Sequence, residues 1–132
     1  MTETLQHIVL VEDDSDIATL ATMALQDLGG LAVTHFSSGE AALAGIPEVK
    51  PDLIILDFSM PGMNGDEVMK ALKSNPDTAA IPAMFMTASV MPSHVAKLRE
   101  LGAVDVLKKP FDPIALPDQV LAAWSRATAS SR

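Results

Sequence analysis

Asp57 closes the apolar run Leu53-Ile54-Ile55-Leu56, and the acidic group Glu12-Asp13-Asp14 closes another, Ile8-Val9-Leu10-Val11. A carboxylate directly after a fully apolar strand is carried to the C-terminal edge of its sheet, where open α/β folds gather their chemistry. Two such strands side by side would bring three or four carboxylates together, and like charges that close do not all stay ionised without a cation. The arrangement asks for a divalent metal. Oxygen ligands with no supporting His or Cys point to magnesium before zinc.

The elements that must position these groups follow from hydrophobic periodicity. Ile8 to Val11 reads as a buried strand. Ile17, Leu20, Ala21, Ala24, Leu25 and Leu28 then recur at helical spacing until Gly29-Gly30 ends the pattern. Leu31 to Phe36 is a weaker strand, and a helix from Ser37 or Ser38 holds Ala41, Ala42, Leu43 and Ile46 and is expected to end at Pro47. Leu53 to Leu56 is the third strand. A loop from Asp57 to Asn64 leads into a helix over 65–74 with Val68, Met69 and Leu72 as its stripe. Pro82 to Met86, ending in Thr87, is the fourth strand, and Ser93 to Leu101 a helix closed by Gly102. Val104 to Leu107 is the fifth strand. A last helix, from Pro113 or Pro117 to about Arg126, turns Val120, Leu121 and Trp124 inward, and 127–132 reads as frayed. Strands alternating with helices imply an α/β fold with a parallel sheet covered on both faces.

At 132 residues the chain fits one domain. Its 48% hydrophobic content is globular, and no apolar run approaches the roughly 18 residues of a membrane span. The acidic start Met-Thr-Glu-Thr-Leu-Gln is unlike a secretory signal, so a cytoplasmic protein that binds no membrane is expected. No cysteine is present, which excludes disulfides and thiol catalysis. Nine basic residues against seventeen acidic ones leave a charge of −8. Only Lys108-Lys109 pairs basic residues, so no positive footprint for nucleic acid exists and direct DNA binding is not expected.

The run Leu56-Asp57-Phe58-Ser59-Met60-Pro61-Gly62-Met63-Asn64-Gly65 resembles the phosphoacceptor loop of the receiver domain of two-component response regulators. Glu12-Asp13 after strand one, Thr87-Ala88 after strand four and Lys109-Pro110-Phe111 after strand five complete the pattern, and the resemblance covers residues 7–126. It implies a flavodoxin-like, doubly wound (βα)5 three-layer sandwich with strand order 2-1-3-4-5, similar to chemotaxis regulators. It also implies that Asp57 is the phosphoacceptor, that Asp13, Asp57 and the backbone carbonyl of Ser59 bind Mg2+, and that Glu12 holds the ion through water. Thr87 and Lys109 would receive the phosphoryl oxygens, and the Lys109-Pro110 bond would be cis.

Chemistry supplies reasons for these residue types. Asp57 has to attack phosphorus as an ionised carboxylate. Lys109 offers a compact charge and Thr87 a short, movable donor. The implied function is a stand-alone receiver, without an output domain, that takes a phosphoryl group from a sensor histidine kinase or a histidine phosphotransfer protein. It would then switch its interaction with a downstream effector protein. It is a signalling phosphoacceptor and not an enzyme in the ordinary sense; the alternative is a phosphate sink or relay shuttle with no effector of its own.

Taken singly, each motif has a plainer reading: an acidic helix entry capped by Asp14 or Ser15, a turn-starting Asp57, a strand-end Thr87, a surface Lys109. Their common edge is what joins them. His7, His35 and His94 share no ligand spacing and read as incidental, and Met23, Met69, Met84 and Met86 read as core fillers. Where many receivers carry a switching aromatic three residues before the site lysine, this chain has Val106, which cannot act as that rotor. Ser59 and Ser89 leave the route of an attacking water little obstructed. A flavin- or nucleotide-binding protein of the same fold is a remote alternative, disfavoured because Glu12-Asp13-Asp14 would repel a phosphate in the absence of a metal. A metal-dependent phosphohydrolase is disfavoured because Ser59 stands where its second acid would be.

Overall fold

In the computed structural model, which describes residues 4–130, the five apolar runs pair as parallel strands: β1 His7–Val11, β2 Ala32–Phe36, β3 Leu53–Asp57, β4 Ala83–Thr87 and β5 Val106–Lys108. Their order in the sheet is β2-β1-β3-β4-β5, as the resemblance implies. The intervening helices are α1 Ser15–Met23, α2 Gly39–Val49, α3 Gly65–Ser74, α4 Pro92–Glu100 and α5 Leu116–Ser130.

Alternation along the strands divides the apolar side chains between two cores. Ile8, Leu10, Leu53, Ile55, Met84, Met86 and Leu107 pack with α1 and α5 residues such as Ala21, Val120 and Trp124. Val9, Val11, Ile54, Leu56 and Phe85 pack with α2, α3 and α4 through Ile46, Met69, Leu72 and Leu98. Helices on both faces explain why β3 and β4 are buried along their whole length. Truncating such a residue, for instance Ile55→Ala, would cost about 2–5 kcal/mol.

The local differences from the sequence reading have physical causes. Helix α1 continues as a π-helical turn over Ala24–Leu28 and presents Ala18, Ala21, Ala24 and Leu25 to the sheet, which leaves Leu20, Leu28 and Met23 exposed. Two apolar stripes lie side by side on this helix, and the smaller one allows the closer approach. Met23 is therefore not a core filler, whereas Met69, Met84 and Met86 are. Pro47 does not end α2: in the last turn it removes a single hydrogen bond, and Lys50 in the left-handed conformation closes the helix by donating its N–H to Ile46 O at 3.0 Å. Strand β5 starts at Val106, two residues later than periodicity suggests, although the Val104 N–H already donates to Ala83 O at 2.8 Å and Asp105 O accepts from the Phe85 N–H at 3.2 Å. Helix α5 begins between the two expected prolines, at Leu116, leaves Leu121 exposed and runs to Ser130; the rest of the expected fraying falls outside the described residues.

Candidate functional site

Val11 pairs with Leu56 in the β1–β3 register, so the residues that follow them, Glu12 and Asp57, emerge together at the C-terminal edge of the sheet. One carboxylate oxygen from each of Glu12, Asp13 and Asp57 lies within 4.8 Å of the others. Glu12 and Asp57 are buried while Asp13 is exposed, which opens the group to solvent on the Asp13 side. Asp14, next in sequence, caps α1: its Oδ1 accepts from the N–H of Asp16 at 2.9 Å and of Ile17 at 3.1 Å.

Lys109 reaches this cluster from the end of β5. Its Nζ lies 3.1 Å from Asp57 Oδ1 and 3.1 Å from Glu12 Oε1, while the neighbouring Lys108 side chain is exposed. Strand alternation separates the two lysines, the Lys109 N–H donates to Thr87 O at 2.8 Å, and the Lys109-Pro110 peptide is cis. Burial works against the Lys109 charge, but hydrogen bonds and attraction to Asp57 and Glu12 prevail and raise its pKa. Glu12 is the strained partner. Burial, and then the Asp57 carboxylate beside it, push its pKa up to about 7 against the opposing Asp14 N–H and Lys109.

The loop after β3 is shaped by two glycines. Gly62 has a φ of +79°, open to glycine and costly for other residues. At Gly65 a Cβ would stand 2.4 Å from Asp57 O, so only glycine lets the start of α3 approach the end of β3 this closely. Glu67 Oε1 accepts from the Asn64 N–H at 3.2 Å and fixes the helix entry. Ser59 is exposed in this loop, two residues beyond Asp57.

Thr87 ends β4, the strand adjacent to β3, and its side chain is buried. Its Oγ1 lies 3.2 Å from His94 Nε2 in the first turn of α4 and accepts from the Ser89 N–H at 3.3 Å. The His94 ring stands edge-on to Phe58, with centroids 4.9 Å apart, and Phe58 stands edge-on to Phe85 at 5.9 Å. Val106 lies opposite Phe85 and packs on the α2–α3–α4 side of the sheet.

The structure thus brings Glu12, Asp13, Asp57 and Lys109 together and leaves the Thr87 hydroxyl on His94. Two histidines read as incidental prove to touch the site. His35 Nε2 donates to the backbone carbonyl of Glu12 at 2.7 Å, and His94 meets Thr87. The signal for His35 is its place near the end of the strand paired with β1; for His94 it is the short loop that returns α4 over β4.

The donor set fits a hard divalent cation. The three carboxylates are oxygen ligands, one exposed, and burial, followed by the Asp57 carboxylate beside it, raises the Glu12 pKa. Both Glu12 oxygens already accept, Oε1 from Lys109 and Oε2 from the Asp14 N–H at 3.1 Å.

Comparison with known proteins leads to the same place. The family model for the response regulator receiver domain matches residues 8–121. The DNA-binding response regulator MtrA of Mycobacterium tuberculosis is 34% identical over 121 residues, which span 92% of this chain and 51% of that protein. The phosphate regulon transcriptional regulatory protein PhoB of Pseudomonas aeruginosa is 33% identical over 119 residues, 90% of this chain and 52% of that protein. The chain spans about half the length of these curated relatives. Among solved structures, the chemotaxis protein CheY4 of Vibrio cholerae superposes with a TM-score of 0.83 at 28% identity, covering 91% of this chain and 99% of that one. The signal receiver domain of a signal transduction histidine kinase from Syntrophus aciditrophicus gives a TM-score of 0.79 at 31% identity, covering 92% and 91%. With the family's model matched from the first strand into the last helix, the chain belongs to the receiver domains of two-component response regulators.

Proposed function

We propose that Asp57 accepts a phosphoryl group from the phosphohistidine of a sensor histidine kinase or a histidine phosphotransfer protein. The observation that carries this reading is the convergence of Lys109 and two further carboxylates, Glu12 and Asp13, on the buried Asp57 at the edge of the sheet. A carboxylate oxygen of Asp57 forms the new O–P bond while the P–N bond to the donor imidazole breaks, and the imidazole leaves with that electron pair. Lys109 Nζ, already at hydrogen-bond distance, balances the carboxylate before transfer and a phosphoryl oxygen after it. Thr87 donates its hydroxyl to a second phosphoryl oxygen.

Receiver domains hold Mg2+ in an acidic pocket, and the Glu12, Asp13, Asp57 group can hold a metal. Asp13, Asp57 and the Ser59 carbonyl would hold the ion directly, with Glu12 one water removed because both its oxygens are engaged. When bound, the ion supplies neutralisation of the clustered carboxylates and of the phosphoryl oxygens.

The phosphorylated domain acts through a changed protein–protein interaction, consistent with the net charge of −8, which gives these 132 residues no footprint of their own for nucleic acid. No described helix is long and apolar enough to cross a membrane. A second reading, a phosphoryl sink or relay shuttle, is favoured by Val106 in place of the usual aromatic switch.

Acyl phosphate with Mg2+ tests the assignment by intact mass. Wild type gains one phosphoryl group and Asp57→Asn gains none. Uptake by Asp57→Asn at the wild-type rate overturns it.

A further inference from the structure

The Thr87 hydroxyl is not free in this structure. It accepts from the Ser89 N–H and lies 3.2 Å from His94 Nε2, and the imidazole that holds it is set by edge-on contact with Phe58, the residue after Asp57. Phe58 and Phe85 both belong to the core on the α4 side of the sheet. Alternation along β3 and β4 places Asp57 with the α1–α5 side and Thr87 with the α4 side.

We propose that His94 is a positioning residue for Thr87: the Thr87 hydroxyl donates to unprotonated Nε2 and is thereby held toward α4 until Asp57 is phosphorylated. A hydroxyl has one proton. While that proton lies on His94 it cannot serve a phosphoryl oxygen, so engagement at Asp57 requires the His94 bond to break. Its loss frees the first turn of α4, which the exposed Val90 and Met91 directly precede in the chain. The bond supplies this chain with a two-state element in the place left by Val106, and it opposes phosphorylation by the strength of one hydrogen bond.

This inference rests on the phosphoacceptor reading, and beryllofluoride with Mg2+ tests the two separately. His94→Phe keeps a ring against Phe58 and removes the acceptor, so it should bind beryllofluoride about five-fold more tightly than wild type, the equivalent of one ordinary hydrogen bond. In a Thr87→Val background the same substitution should leave the affinity unchanged, which a merely structural role for His94 would not produce. The His94 Nε2 nitrogen resonance should fall in the unprotonated range in the free protein and move on beryllofluoride addition. Wild-type binding at Asp57 with equal affinity in His94→Phe, an effect of the same size in the Thr87→Val background, or a protonated Nε2 in the free protein overturns the inference alone. No binding by wild type overturns the phosphoacceptor reading and the inference with it.

Discussion

The Lys109 ammonium sits 3.1 Å from Asp57 Oδ1, across a sheet edge that separates the two residues by a whole strand. The aspartate is buried and the ammonium is its ion-pair partner. Lys109→Ala should lower stability by about 2 kcal/mol, less than the 3–5 kcal/mol of a fully buried pair because the lysine keeps 19% of its side chain exposed. It should also slow phosphorylation at least ten-fold. Lys108→Ala, on the opposite face, should change stability by less than about 0.5 kcal/mol. Denaturant melts and acyl-phosphate labelling of both variants measure this, and equal effects would show that the two lysines are misassigned.

Magnesium should stabilise the folded protein, because only the folded state assembles Glu12, Asp13 and Asp57 into one group. At 100 times its dissociation constant the gain should be about 2.7 kcal/mol. Thermal melts with and without Mg2+ report it. Asp13→Ala, which removes the exposed member of the cluster, should abolish most of the shift; a shift of wild-type size in that variant would place the ion elsewhere.

The sheet and its chemical edge were legible in the sequence because apolar strands ended in carboxylates, a signal local to each segment. That Glu12 and Asp57 are neighbours was not local: it needs β1 next to β3, which came with the family pattern and is now seen in the register. What stayed hidden depended on contacts between distant segments. Periodicity put Ile17, Leu20, Ala21, Ala24, Leu25 and Leu28 on one stripe, and only the sheet's surface selects Ala18, Ala21, Ala24 and Leu25 and leaves Leu20 and Leu28 exposed. Pro47 reads as a stop, yet burial of Ile46 and the left-handed Lys50 carry α2 past it. His94 carries no sign of its role until the loop after Thr87 brings the first turn of α4 back over β4.

Stability without metal should fall as pH rises through the range set by Glu12. Its pKa is about 7 in the folded protein against an ordinary value of 4.5, so the folded state binds more protons between those limits. Stability tied to this group is then fully present below about pH 4.5 and is lost as pH rises through about 7, by on the order of 3 kcal/mol. Saturating Mg2+ favours the ionised carboxylates and should remove or reverse the slope. Urea melts from pH 5 to 8 would show both effects, with Glu12→Gln flattening the metal-free curve; an unchanged slope in that variant would assign the dependence to another group.

Gly65 is the position where backbone packing and the site meet. A methyl group there would stand 2.4 Å from the Asp57 carbonyl and 2.9 Å from Phe58 Cα, both backbone atoms that cannot swing aside. The start of α3 would have to retreat or the end of β3 would have to shift, at a cost of about 1–3 kcal/mol. Because the displaced segment carries Asp57 and leads to the Ser59 carbonyl, Gly65→Ala should weaken Mg2+ binding and slow acyl-phosphate labelling as well as lower the melting temperature. Gly30→Ala serves as the control: it also meets a positive φ, +66°, but has nothing within 4 Å and lies in the loop before β2. It should lose stability without losing labelling. Labelling retained at the wild-type rate in folded Gly65→Ala would show that the approach of α3 does not set the geometry of Asp57.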